Sequence, residues 1–62
     1  ATFCPSEVAR ALAPRDWRSV MSQVRRVASD LCRRGELGAT QKGRSVDPVS
    51  ARGPIRLGLP GG

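Results

Sequence analysis

Between Asp16 and Arg34, the apolar residues Trp17, Val20, Met21, Val24, Val27, Ala28 and Leu31 recur at intervals of three and four, which lines them along one face of an α-helix. Arg18, Ser22, Arg25, Ser29 and Arg33 fall on the opposite arc. The segment predicts an amphipathic helix with its apolar row on a core and a basic face outward. Two starting points fit the pattern. Asp16 can cap one helix running to Arg34, or Ser22 can cap a main helix over 22–34 after a short turn over 16–21, which is the more ordinary length. Gly35 ends it in both cases, because glycine readily takes the left-handed conformation that closes a helix.

A shorter periodic stretch precedes it. In "CPSEVARALAP", Pro5 suits a first helical position, Glu7 suits the positive end of the helix dipole and Pro14 cannot continue the helix. A helix over about residues 5–13 is expected, with Val8, Ala9, Ala11 and Leu12 on its apolar side and Arg10 on the other. Phe3, ahead of a cap at Cys4, is placed to pack back on Val8 as a hydrophobic staple. After Glu36 the period falls to two. "ELGATQ" sets Leu37 and Ala39 on one side of an extended segment, and "PIRLGL" sets Ile55, Leu57 and Leu59 together with Arg56 opposite. The basic stretch "KGRSVDPVSARG" between them makes the pair a hairpin, inside which Asp47 and Pro48 open a tight turn or a single helical turn. "GLPGG" reads as a frayed tail.

With 62 residues the chain holds one domain, expected over residues 3–59 with 60–62 as the tail. A domain of that size buries only about 60% of the surface its unfolded chain exposes, so its stability is expected to be marginal. No apolar run approaches the ~20 residues that cross a bilayer, and no pattern of charged, then apolar, then small residues marks a secretory leader. Eleven basic against five acidic side chains give a net charge of +6, which favours polyanionic partners. Ten arginines to one lysine, beside many Ala, Gly and Val, are also what a GC-rich genome writes. Cys4 and Cys32 are the only cysteines and histidine is absent; a zinc site usually takes four N or S ligands, so a self-contained zinc finger is excluded. Two buried thiols in a reducing cytoplasm are expected, with a single disulfide as the alternative in an exported chain. No metal or cofactor is implied.

The order of helix, turn, longer basic helix and hairpin with a cationic tip gives the expected fold class: mainly α with a C-terminal β-hairpin (α+β), arranged as a winged helix-turn-helix. The runs "TFCPSEVARAL", "DWR", "VRRVASDL", "GEL" and "TQKGRSVDP" through "ARGPIRL" resemble a small bacterial domain family of unassigned function that is placed among winged-helix folds. The resemblance covers nearly the whole chain and implies a fold rather than an activity. It also implies one further helix ahead of "TFCPSEVARAL". Without it, Val8, Leu12, Trp17 and Leu31 are expected to have one side uncovered, which destabilises the domain or is covered by a second copy in a homodimer.

Catalysis is not expected. Histidine and tyrosine are absent, the five carboxylates are scattered over caps, a helix surface and a turn, and no serine has an evident base. The glycines of "GRSVDPVSARG" lack the pattern of a phosphate-cradling loop. The candidate chemistry is instead recognition of nucleic acid, with duplex DNA as the expected partner. Ser22, Gln23, Arg25, Arg26 and Ser29 are expected on the outward first turns of the long helix. There Arg can fork onto guanine and Gln onto adenine in a major groove. Arg18 and Arg33, with Arg34, suit phosphate contacts, and Lys42, Arg44 and Arg52 of the loop suit phosphate or a minor groove. Trp17 is expected in the core rather than as a base-stacking platform, because one aromatic is too few for single-strand recognition. Three competing readings are a plain solvated basic face, a protein or ribonucleoprotein module of the same fold, and a basic amphipathic segment lying on anionic lipid. The lipid reading is not expected, because the strands engage the apolar row.

Overall fold

The computed structural model describes residues 2–60. Its elements run in the order β1 (Thr2–Phe3), α1 (Pro5–Leu12), α2 (Trp17–Arg33), β2 (Gly38–Gln41), β3 (Arg44–Ser45) and β4 (Arg56–Gly58). The four strands form one antiparallel sheet in the spatial order β1-β4-β2-β3. The protein is thus an α+β chain of two helices and a four-stranded sheet.

Both ends of α1 and the C-terminal end of α2 lie where the sequence predicts, and the start of α2, open between Asp16 and Ser22 in the sequence, is at Asp16. Cys4 stands at the N-cap of α1, where its backbone N–H donates to the Glu7 carboxylate at 3.3 Å, and Pro5 opens the helix. Asp16 is the N-cap of α2, so the segment is one continuous helix and the alternative start at Ser22 is not used. At the far end, Glu36 N–H donates to Leu31 C=O at 2.9 Å and Gly35 N–H to Cys32 C=O at 3.1 Å, with Gly35 at φ +76°. This is a Schellman closure, which needs a residue that tolerates positive φ.

The expected pairing of the two late strands holds, with Ala39 opposite Leu57 and Thr40 opposite Arg56. Two further strands were not expected, β1 ahead of the hairpin and β3 inside its loop. β1 adds to the free side of β4, setting Phe3 opposite Leu57, so Phe3 works from the sheet, although it and Val8 border the same groove. β3 folds back on β2 through a two-residue turn at Lys42 and Gly43, whose φ values of +52° and +79° are those of a type I′ hairpin. The loop thus divides into a tight hairpin followed by residues 46–55. The single helical turn expected at Asp47 and Pro48 is present, closed by Ala51 N–H on Asp47 C=O at 2.9 Å.

Ala28 of α2, Ala39, Ile55 and Leu57 form the buried core, with Phe3, Cys32, Leu37, Val46 and Ala51 packed around it. Leu59, expected beside Ile55 and Leu57, is 79% exposed because it follows the last sheet pair, Gly58. Of the expected apolar row only Ala28 is fully buried. Val27 is 60% exposed, and Val20, Val24 and Leu31 are half-buried along an open groove of about 380 Å³ between the helices and the sheet. Val8 and Leu12 border the same groove. Trp17 does not, and it is half-buried at the start of α2 rather than in the core. Of the frayed tail, residues 61–62 lie outside the described residues.

Arg56 ties the start of the chain to the sheet. Its guanidinium donates to the Thr2 hydroxyl at 3.0 Å, to Thr2 C=O at 2.9 Å and to Cys4 Sγ at 2.8 Å. Cys4 and Cys32 are separate free thiols, each half-buried. No described helix is long and apolar enough to cross a membrane.

Candidate nucleic-acid interface

Helix α2 presents Arg18, Ser22, Gln23, Arg26 and Arg33 as exposed side chains. Arg25 and Ser29, expected on the same outward surface, are turned to the flank of α2 that meets residues 47–53. The Arg25 guanidinium donates to Pro48 C=O at 3.3 Å, Ala51 C=O at 2.8 Å and Gly53 C=O at 2.8 Å. Ser29 is only 2% exposed, and its hydroxyl donates to the Asp47 carboxylate at 2.9 Å. These loop carbonyls and the carboxylate need donors once water is removed, and α2 supplies them. Arg25 and Ser29 therefore hold the loop.

From the opposite side Gln41 donates its amide N–H groups to Arg52 C=O and Pro54 C=O. The loop is thus fastened to both α2 and β2, and Arg52 projects exposed from a fixed backbone. Lys42 and Arg44 are exposed at the β2–β3 turn. α2 and the loop together shape a shallow groove of about 360 Å³ between Arg26, Asp30, Arg33 and Val49. Asp30 is ion-paired with Arg34 at 3.1 Å; no other ion pair is present among the described residues, although Arg33 lies near enough to Asp47 to act on its charge. Val49, 55% exposed on this groove, carries no sequence signal that would have singled it out.

Asp47 is the electrostatic centre of the loop anchor. The Val49 N–H donates to its carboxylate at 3.0 Å, and that bond, followed by the Ser29 hydroxyl, holds its pKa below the ordinary carboxylate value against the opposing effect of burial, with Arg33 adding to the lowering. Burial, and then the negative charge of Asp47, push the Cys32 thiol up, away from the thiolate that makes a nucleophile. A carboxylate whose folded pKa is depressed stabilises the fold above its unfolded pKa of about 4, and that contribution is lost as pH falls through the lower folded value. Acid titration should therefore loosen the loop below about pH 4. In Asp47→Asn this acid-dependent step should shrink, read as amide chemical shifts of residues 46–50 between neutral and acid pH. An unchanged step in the variant would assign it to another carboxylate.

Among the described residues no three His, Cys, Asp or Glu side chains gather at a metal-binding spacing. No curated protein matches the chain. The profile of the family described as "Protein of unknown function (DUF3253)" matches residues 1–60, nearly the whole chain. On the strength of that match, this chain belongs to the DUF3253 family of proteins of unknown function.

Proposed function

We propose that the chain is a winged-helix module that binds duplex DNA without catalysis, setting α2 in the major groove and the β2–β4 connection on the flanking backbone. The observation that carries this reading is the set of exposed cations Arg18, Arg26, Arg33, Lys42, Arg44 and Arg52, none of them ion-paired among the described residues, around a helix that exposes Ser22 and Gln23. The four-residue link 13–16 between α1 and α2 has the length of a helix-turn-helix turn. The sheet order β1-β4-β2, with both helices inserted between β1 and β2, supports the winged arrangement. A duplex DNA partner implies a cytoplasmic location.

A single small module with this footprint binds weakly and mostly through phosphates. Titration of a labelled mixed-sequence duplex should show binding at low salt that falls linearly in log-log form as salt rises. Arg26→Ala and Gln23→Ala should reduce preference for a selected site. Lys42→Ala and Arg44→Ala should weaken all sequences alike and lower the salt slope by about one per substitution. Equal effects of both pairs on every duplex would show that the helix reads nothing.

The open apolar groove favours a second reading, in which the same fold is a protein or ribonucleoprotein interaction module. Absence of duplex binding at low salt, together with a sedimentation coefficient that rises with protein concentration, would replace the first reading with this one, a second copy being the protein that covers the groove.

A further inference from the structure

The link between α1 and α2 gathers a cationic cluster that the helix face and the loop do not explain. The Arg10 guanidinium lies 4.4 Å from the centroid of the Trp17 ring and the Arg18 guanidinium 4.8 Å from it. Arg15 stands exposed in the link itself, and Arg10 and Arg18 are also exposed. Of the carboxylates nearest in sequence, Glu7 accepts the Cys4 N–H at 3.3 Å and Asp16 the Ser19 hydroxyl at 2.6 Å, and among the described residues none of the three arginines has an ion-pair partner. Two cations thus share one ring, with Arg15 in the adjoining link, although their mutual repulsion favours dispersal.

The indole explains how they are held. A guanidinium resting on an aromatic face is attracted by the ring's negative quadrupole, while the N–H donors along its edge stay free. Stacking also restricts the rotamers of a long side chain in the unbound protein, so less freedom is given up when a ligand arrives. The edge of a guanidinium matches two oxygens of a phosphate in a bidentate fork. Two such forks on one ring, with Arg15 beside them, suit consecutive phosphates of a nucleic-acid strand better than a single small anion.

We propose that Arg10, Arg15 and Arg18 form a backbone-phosphate clamp for duplex DNA and that Trp17 is its positioning residue. The proposal rests on the duplex-binding reading and adds to it a third binding region, at the turn between the helices. Trp17 acts through the arginines it orients and does not stack on a base, since its ring already carries them.

The test uses a short mixed-sequence duplex and the intrinsic emission of Trp17, the only tryptophan. Duplex should change the emission of the unaltered protein, and excess salt should reverse the change. In Arg10→Gln/Arg18→Gln the log-log salt slope should fall by about two, one for each phosphate no longer neutralised. Trp17→Leu should lower the slope comparably and Trp17→Phe should restore most of it, because phenylalanine keeps an aromatic face. If Trp17→Leu loses its helical circular dichroism, the arginine double variant, altered only at exposed positions, decides alone. A double variant with an unchanged slope, while Lys42→Ala still lowers it, would overturn the clamp and leave the duplex reading standing. Failure of the unaltered protein to bind duplex would overturn both. Competition by poly-glutamate at equal charge concentration would show that the cluster takes carboxylate-bearing partners, and would also overturn the phosphate assignment.

Discussion

Leu57→Ala should remove more than half of the protein's folding stability. Leu57 is 2% exposed in β4, the strand flanked by β1 and β2, opposite Phe3 on one side and Ala39 on the other. A buried Leu→Ala change costs about 2 to 5 kcal/mol through lost transfer energy and the cavity left behind. For 62 residues, ordinary stabilities of about 0.05 to 0.15 kcal/mol per residue give roughly 3 to 9 kcal/mol in total. The remaining core side chains, two alanines and Ile55, cannot fill the space. The urea midpoint should fall by more than half. Leu59→Ala, two positions on but 79% exposed, should stay within about 0.5 kcal/mol of the parent. Similar midpoints for the two variants would place the core somewhere other than the β1-β4-β2 row.

Arg25→Met should cost roughly 2 to 3 kcal/mol, because three carbonyls lose a charged donor while the aliphatic stem is kept. The damage should be local first. Amides of residues 47–53 should exchange much faster with solvent, while those of α1 remain protected. Arg25→Lys should rescue little, since a single ammonium cannot span the carbonyls of Pro48, Ala51 and Gly53 as the planar fork does. Arg26→Met, at the exposed neighbouring position, should be near neutral for stability. Unchanged exchange in the loop of Arg25→Met would show that Gln41 and Ser29 suffice to hold it.

Three of the four helix boundaries were legible because they are set locally: Pro5 and Pro14 bracket α1, and Gly35 is forced by the sign of its φ, whereas the start of α2 was open between two capping residues, Asp16 and Ser22. The β2–β4 pairing was legible through the alternation around Ala39 and Leu57. β1 was not, because two residues have no period and Thr2–Phe3 becomes a strand only through distant β4. The same limit governs the candidate site. Periodicity places Arg25 and Ser29 beside Arg18 and Ser22, yet it cannot tell that residues 47–53 return to cover that flank. A basic residue on a helix is solvated by default, and only the loop carbonyls, which local sequence does not locate, turn Arg25 inward. Val27 fails in the opposite direction: its spacing is that of a core residue, but no described element covers it and it is 60% exposed. For Arg10, the polar side of α1 was readable, while its meeting with Trp17 depends on how the link over 13–16 turns the two helices together.

The position of β4 within the sheet has a consequence for the order of events on the ribosome. β4 lies between β1 and β2 in space but follows both in sequence, and it brings Leu57 with it, next to Ile55. Until those residues have left the exit tunnel, the emerged chain has two helices, the β2–β3 hairpin and an unpaired β1, with nothing to join β1 to β2. Translation at about 5 to 20 residues per second would keep that state open for seconds. The β1-β4-β2 part of the sheet then assembles in a single late step. A stalled chain ending before Arg56 should therefore be open to protease throughout, whereas extending it past Gly58, with a linker long enough to clear the tunnel, should confer protection all at once.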